Sequence, residues 1–196
     1  MYTLQSALRL STLSLLLATS AFALPRYTLE DLGAALGVAL NASGVAAGSV
    51  LPGSSPQQAA RLQPGTLPQP LGFLVPNGWI SLASGINDAG VIVGLSATDT
   101  IGCCARGFRL TEATGMQLLP TLAGTTSQSQ GVSINNGGTV VGFAVIEIPQ
   151  GETMVTVRRP MVITGTQASD LGTLGGLEGI AQYISDAGDI VGESQL

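Results

Sequence analysis

The 196-residue sequence contains no histidine and no lysine. Without His, a Ser-His-Asp triad or a Cys-His pair is excluded. A closed zinc site is short of ligands too, because Cys103 and Cys104 are the only soft donors and two adjacent cysteines do not make such a site alone. All seven cations are Arg, against 12 acidic residues, and charged residues make up 10% of the chain. An acidic, sparsely charged surface does not suit nucleic acid or an anionic membrane surface. Low charge together with 45% apolar residues also argues against intrinsic disorder. No cofactor is expected.

The cysteines leave two readings open. Neighbouring Cα atoms lie about 3.8 Å apart, whereas disulfides normally want about 4.4–6.8 Å. Cys103 and Cys104 are therefore either a vicinal disulfide, acting as a redox switch or a stiff loop clamp, or two loop thiols that have no role or that pair with another chain.

The N-terminus carries Arg9, an apolar run over residues 10–18, and Ala21, Phe22 and Ala23 as a small-x-small cleavage site before Leu24 and Pro25. This fits a secretory signal over residues 1–23 better than a buried helix, and the run is too short to span a bilayer well. Removal leaves a single domain, residues 24–196, with six Arg against 12 acids and length enough for a real core. With no apolar segment near the C-terminus, release to the bacterial periplasm or exterior is expected, and no membrane-spanning segment.

Four stretches then say nearly the same thing: VALNASGVAAGS at 38–49, GINDAGVIVGLS at 85–96, VSINNGGTVVGFA at 132–144 and YISDAGDIVGES at 183–194. Their last glycines, Gly48, Gly94, Gly142 and Gly192, are spaced by 46, 48 and 50 residues. A repeat of this length is one supersecondary unit copied along the chain. Each contains Asn, Asp or Ser followed by a turn glycine: Gly44, Gly90, Gly138 and Gly188. Such residues accept the positive φ of a tight hairpin turn, so a hairpin is expected at each. A third strand is expected after a loop, at 71–75, 107–110 and 160–163. A fourth is expected at 79–82, 116–119 and 168–171, and residues 27–32 match a fourth strand in phase.

Four short strands per unit predict an all-β, β-propeller-like array of about four repeats. The units run at about 27–83, 84–131, 132–181 and a partial 182–196. The strand at 27–32 could pair into the last unit and close the ring. Otherwise the open last edge invites self-association.

These residues resemble the bacterial extracellular repeats named for a His-Ala-Phe triplet, the HAF repeats. Residues 170–176 read DLGTLGG, residues 134–142 read INNGGTVVG, and residues 86–94 read INDAGVIVG. The triplet itself is not preserved. Its positions hold Leu71, Gly72 and Phe73, then Arg106, Gly107 and Phe108, then Arg159, Pro160 and Met161. The resemblance implies secretion and a propeller-like β fold, and carries no established activity.

Candidate chemistry is thin. Asp186 and Asp189 faintly resemble a calcium loop, but such loops need three or more oxygen ligands at alternate positions, so an ordinary turn is expected. Asp31, Asp88, Asp170 and Asp186 could converge at one end of a ring as carboxylates for glycoside cleavage. Turn and cap roles account for them more simply. Arg106, Arg109, Arg158 and Arg159 could line a groove for a carboxylate-bearing glycan or be solvent-facing edge residues. Trp79 and Phe73 are expected to pack in the core or between blades rather than to form a sugar platform. The expected function is a secreted non-catalytic repeat module that binds a glycan or a cell-surface protein, or serves the envelope structurally. The alternative is a secreted polysaccharide hydrolase or lyase with carboxylates at the ring centre.

Overall fold

A computed structural model describes residues 34–51 and 56–196, with Leu29, Asp31 and Leu32. The expected signal segment and most of the expected strand at 27–32 lie outside the described residues. Among the described residues there is no helix, only strands, turns and loops.

The first sheet is an antiparallel meander of β1 (Ala35–Leu40), β2 (Ala46–Val50), β3 (Gln58–Leu62) and β4 (Gln69–Pro70). The second repeats that order with β5 (Ser81–Ile86), β6 (Ile92–Ala97), β7 (Ala105–Thr111) and β8 (Gly115–Leu118). The third does so with β9 (Thr125–Ile134), β10 (Val140–Gln150), β11 (Thr153–Thr164) and β12 (Gln167–Asp170). A single parallel bridge, Ala105 to Gln128, joins the second and third sheets. β13 (Gly179–Ile184) and β14 (Ile190–Ser194) form a two-stranded last sheet. Among the described residues no sheet closes into a barrel.

The expected hairpins are β1–β2, β5–β6, β9–β10 and β13–β14. Gly44, Gly90, Gly138 and Gly188 all have positive φ, from 74° to 93°, which L-residues with a Cβ adopt only with strain. The glycine later in each unit answers a different need. A Cβ on Gly48, Gly94, Gly142 or Gly192 would overlap the carbonyl of Leu36, Leu82, Gln130 or Ile180 on the paired strand. Each of these glycines sits beside a shift in register, a β-bulge that brings the two backbones close.

Two expectations are corrected. In the first unit the third and fourth strands are β3 and β4, not 71–75 and 79–82. Gln and Ala at 58–60 lack strong β preference, yet pairing with β2 places them in the sheet. Gln58, Ala59 and Ala60 are therefore the register equivalents of Arg106, Gly107 and Phe108, replacing Leu71, Gly72 and Phe73. Residues 71–75 form a linker instead, and Ser81 and Leu82 already belong to β5. In the third unit no irregular loop follows the hairpin: β10 and β11 run on together from Val140–Ile163 to Gln150–Thr153.

The core is built from second and third strands. Phe108, Leu62, Met161 and Ile163 are at most 1% exposed, and each such side chain contributes about 1.5–3 kcal/mol by leaving water. Paired linker residues pack under the third strand of the unit they precede. Leu71 and Leu74 lie against the cluster holding Phe108 and Leu110. Leu119 and Leu122 share a cluster with Met161 and Ile163. Successive first strands are neighbours: β1 packs by β5, β5 by β9 and β9 by β13. That placement forms the site described next.

Candidate functional site

The four hairpin turns are linked in a row by their own side chains. Asn41 Oδ1 accepts from Ser43 and Val45 N–H, which closes its turn. Asn87 and Asn135 accept likewise from Val91 and Thr139 N–H at 3.0 and 2.9 Å. Closing the turn with Oδ1 leaves the amide Nδ2 pointing outward. Asn41 donates to the Asn87 carbonyl, Asn87 to that of Asn135, and Asn135 to that of Ser185, each at 3.2 Å. A second row runs beside the first. Ala42, Asp88 and Asn136 N–H donate to Asp88, Asn136 and Asp186 Oδ1 at 2.7, 2.8 and 2.8 Å. The Asn136 amide also bridges Asp88 Oδ2 and Asp186 Oδ2, at 2.8 and 2.9 Å.

Below this polar row the four first strands line a half-open cavity of about 560 Å³. Residues 38–41, 84–88, 132–136 and 182–184 line it, with Asp186 at the rim. Its polar side chains are hydroxyls and amides, with the carboxylates of Asp88 and Asp186. Ser84 Oγ accepts from Gln130 at 2.7 Å, Ser133 Oγ accepts from Ile184 N–H at 3.4 Å, and Gln182 donates to Glu193 at 3.2 Å. Tyr183 is 58% exposed, where Ala39, Gly85 and Ser133 stand in the same register of the other units. Hydroxyls, amides, the carboxylates of Asp88 and Asp186 and one exposed ring thus share the cavity, a mix that can hold a polar ligand.

Of the four acids singled out in sequence, only Asp88 and Asp186 come together. One oxygen of each accepts from a backbone N–H and the other is held by Asn136. Asp170 turns away to pair with Arg159 at 3.0 Å and to cap Gly172 N–H. Asp186 and Asp189 belong to the last hairpin turn, closed by Ser185 accepting from Asp189 N–H. The four Arg do not line the cavity. Arg106 donates to the Thr125 and Thr126 carbonyls, Arg109 to that of Gly138, and Arg158 lies 5.7 Å from the Phe143 ring centre. Trp79 is 36% exposed rather than a core residue, and Phe73 is half-buried against Gly78.

Cys103 and Cys104 are joined as a vicinal disulfide in the loop between β6 and β7. Asp99 closes that loop by accepting from Ile101 and Gly102 N–H at 3.0 and 2.9 Å. Desolvation pushes the Asp99 carboxyl up, but the N–H groups of Gly102 and Ile101, with a weaker pull from Cys103 and Cys104, hold it below the usual carboxylate value. Asp99, Cys103 and Cys104 form the one cluster of three potential metal ligands among the described residues. The thiolate is the form that binds metal, and a sulfur shared in a disulfide is not one, so the cluster becomes a ligand set only on reduction.

Sequence reasoning passed over Ser84, Gln182 and Tyr183. The available signal was repeat alignment: a Tyr at a register position held elsewhere by Ala, Gly and Ser. No family model matches the chain, and neither does any curated protein or solved structure.

Proposed function

We propose that this chain is an exported, non-catalytic binding module, a propeller-like array of repeats related to the HAF family, whose ligand seat is the cavity between the four first strands. The cavity carries this reading: amides, hydroxyls, apolar side chains and one exposed aromatic ring line it, with Asp88 and Asp186 at its mouth. Its rim acids are already committed to the turn row. Glycans and cell-surface proteins are the ligand classes such a surface suits, since rings and amides recognise polar surfaces without needing charge.

The test uses the exported protein, expected to begin at Leu24 by intact mass. It is applied to arrays of bacterial polysaccharides and surface proteins, with product formation followed in parallel. Saturable binding without turnover is expected. Tyr183→Ala should lower that affinity tenfold or more while the melting temperature holds, because Tyr183 is a surface residue. Chain cleavage of a polysaccharide would replace this reading with that of a secreted hydrolase or lyase.

A further inference from the structure

We infer that the outer edge of β14 is a docking edge for an extended segment of a partner protein with the pattern apolar–Arg–apolar. The inference rests on the binding-module reading and adds a partner to it.

The template is internal. In each complete unit the second strand receives a third strand on this edge. Its residue opposite the bulge glycine is Ala60 on Gly48, Phe108 on Gly94 and Met161 on Gly142, all 0% exposed. Two residues along, Leu62, Leu110 and Ile163 stand opposite Ala46, Ile92 and Val140. Gly192 and Ile190 hold these places on β14, whose outer edge pairs with no strand among the described residues. The linker residues beneath are already set. Leu174 N–H donates to Ser194 Oγ at 2.8 Å, just as Leu74 N–H donates to Ser96 Oγ at 2.9 Å. Yet Leu171 and Leu174 are 43% and 75% exposed, where Leu119 and Leu122 are 4% and 8%. A groove of about 380 Å³ runs over these leucines, Ile190 and Gly192. It has the shape left for two apolar side chains spaced i, i+2.

Charge selects the residue between them. Opposite Ala47 and Val93 the third strands of the first two units place Arg61 and Arg109, and opposite Val141 the third unit places Val162. On β14 the corresponding residue is Val191. Its same-face neighbours are Asp189 and Glu193, where the other units have Val45 and Ser49, Val91 and Leu95, and Thr139 and Phe143. Neither acid is in an ion pair among the described residues. An arginine opposite Val191 would lie diagonal to both carboxylates, within reach for a long side chain. The same acids oppose the other occupants. Pairing β14 with a second copy about Val191 sets Glu193 opposite the copy's Asp189, and like charges directly opposite destabilise a sheet. Residues 27–32 bring Glu30 and Asp31 to an edge that is already acidic. Main-chain pairing would supply affinity and the two pockets specificity, as in other strand-addition complexes.

The probe is a labelled synthetic peptide of residues 105–111, ARGFRLT, titrated into the exported chain and read by fluorescence anisotropy. One peptide should bind per chain and protect the amides of residues 190–194 from hydrogen exchange. Replacing Arg109 by Glu in the peptide, or Phe108 and Leu110 by Ser, should weaken binding at least tenfold. So should a scrambled peptide of equal charge. The doubly substituted protein Asp189→Lys/Glu193→Lys, with an unchanged urea midpoint, should prefer the Arg109→Glu peptide. The inference is overturned by no saturable binding, by equal binding of the scrambled peptide, or by protection elsewhere. It is equally overturned by a β14-linked dimer in light scattering, or by binding that appears only after residues 24–32 are deleted. Polysaccharide turnover would sink the module reading instead, whatever the peptide does.

Discussion

Replacing Asn87 by Ala removes one link from the middle of the turn row. Asn87 is 5% exposed, accepts from Val91 N–H at 3.0 Å, and donates to the Asn135 carbonyl at 3.2 Å. Each lost hydrogen bond is worth about 0.5–1.5 kcal/mol net, and a partner left unsatisfied in a buried place costs about 1–3 kcal/mol. The Asn135 carbonyl is the more buried of the two partners, so a loss of roughly 2–4 kcal/mol is expected. In a chain of this size that lowers the melting temperature by roughly 5–15 °C.

Urea unfolding with an unchanged m-value is the assay. Asn136→Ala is the control: its bonds are exposed and water can replace them, for a loss of about 1 kcal/mol or less. Asn87→Asp sharpens the test. It keeps the acceptor, loses the donor, and holds a carboxylate near a carbonyl, so its folded pKa rises above the unfolded value of about 3.9. A raised pKa gives stability that is present in acid and lost as pH climbs through the folded value. This variant should come closest to the parent protein below about pH 4. Asn87→Ala and Asn135→Ala share the Asn135 turn and should be non-additive. Asn41→Ala and Asn135→Ala share no partner and should add within about 0.5 kcal/mol. A loss under about 0.5 kcal/mol for Asn87→Ala, or one no larger than for Asn136→Ala, would refute the view that the row holds adjacent units together.

Three further outcomes are expected. Gly142→Ala drives a Cβ into the Gln130 carbonyl and should cost more than about 2 kcal/mol in urea unfolding, since backbone must move. Leu122→Ala should cost about 2–5 kcal/mol, because Leu122 is 8% exposed. Leu174→Ala at the matching linker position, 75% exposed, should change stability by less than about 0.5 kcal/mol. Against the upward push of desolvation, the N–H groups of Gly102 and Ile101 hold the Asp99 carboxyl below the pH at which an aspartate ordinarily titrates. Its hold on the 98–104 loop is therefore fully present above that pH and lost as pH falls through the lower folded value. Hydrogen exchange at Ile101 and Gly102 should speed up in that window, and in Asp99→Asn should be fast at all pH.

The hairpin turns were legible because their cause is local. Asn followed two or three residues later by Gly satisfies a tight turn by side-chain capping and positive φ, wherever the chain goes next. The third strands at 107–110 and 160–163 were legible too, through their apolar alternation and the turns that follow. The third strand of the first unit was not. Gln58, Ala59 and Ala60 carry no β signal of their own, and pairing with the all-buried β2 put them in the sheet. Leu71 and Leu74 look like a strand by apolar content, but they serve as linker residues under Phe108 and Leu110. Trp79, read as a core or blade-packing residue, stands partly in solvent because the linker that carries it runs over the surface.

By itself the sequence determined the β class, the turn positions and the exclusion of histidine chemistry. Composition and nearest-neighbour geometry suffice for each. Only the tertiary structure decided where the asparagine amides go. Capping occupies one oxygen of the side chain and leaves a donor whose acceptor lies 46 to 50 residues away. Packing of one first strand beside the next brings that carbonyl within reach, and nothing local to the turn encodes it. The same packing gathers four distant strand segments around one cavity. It also buries β2, β6 and residues 140–145 of β10 while leaving Val191 60% exposed, a difference that lies in what each strand packs against.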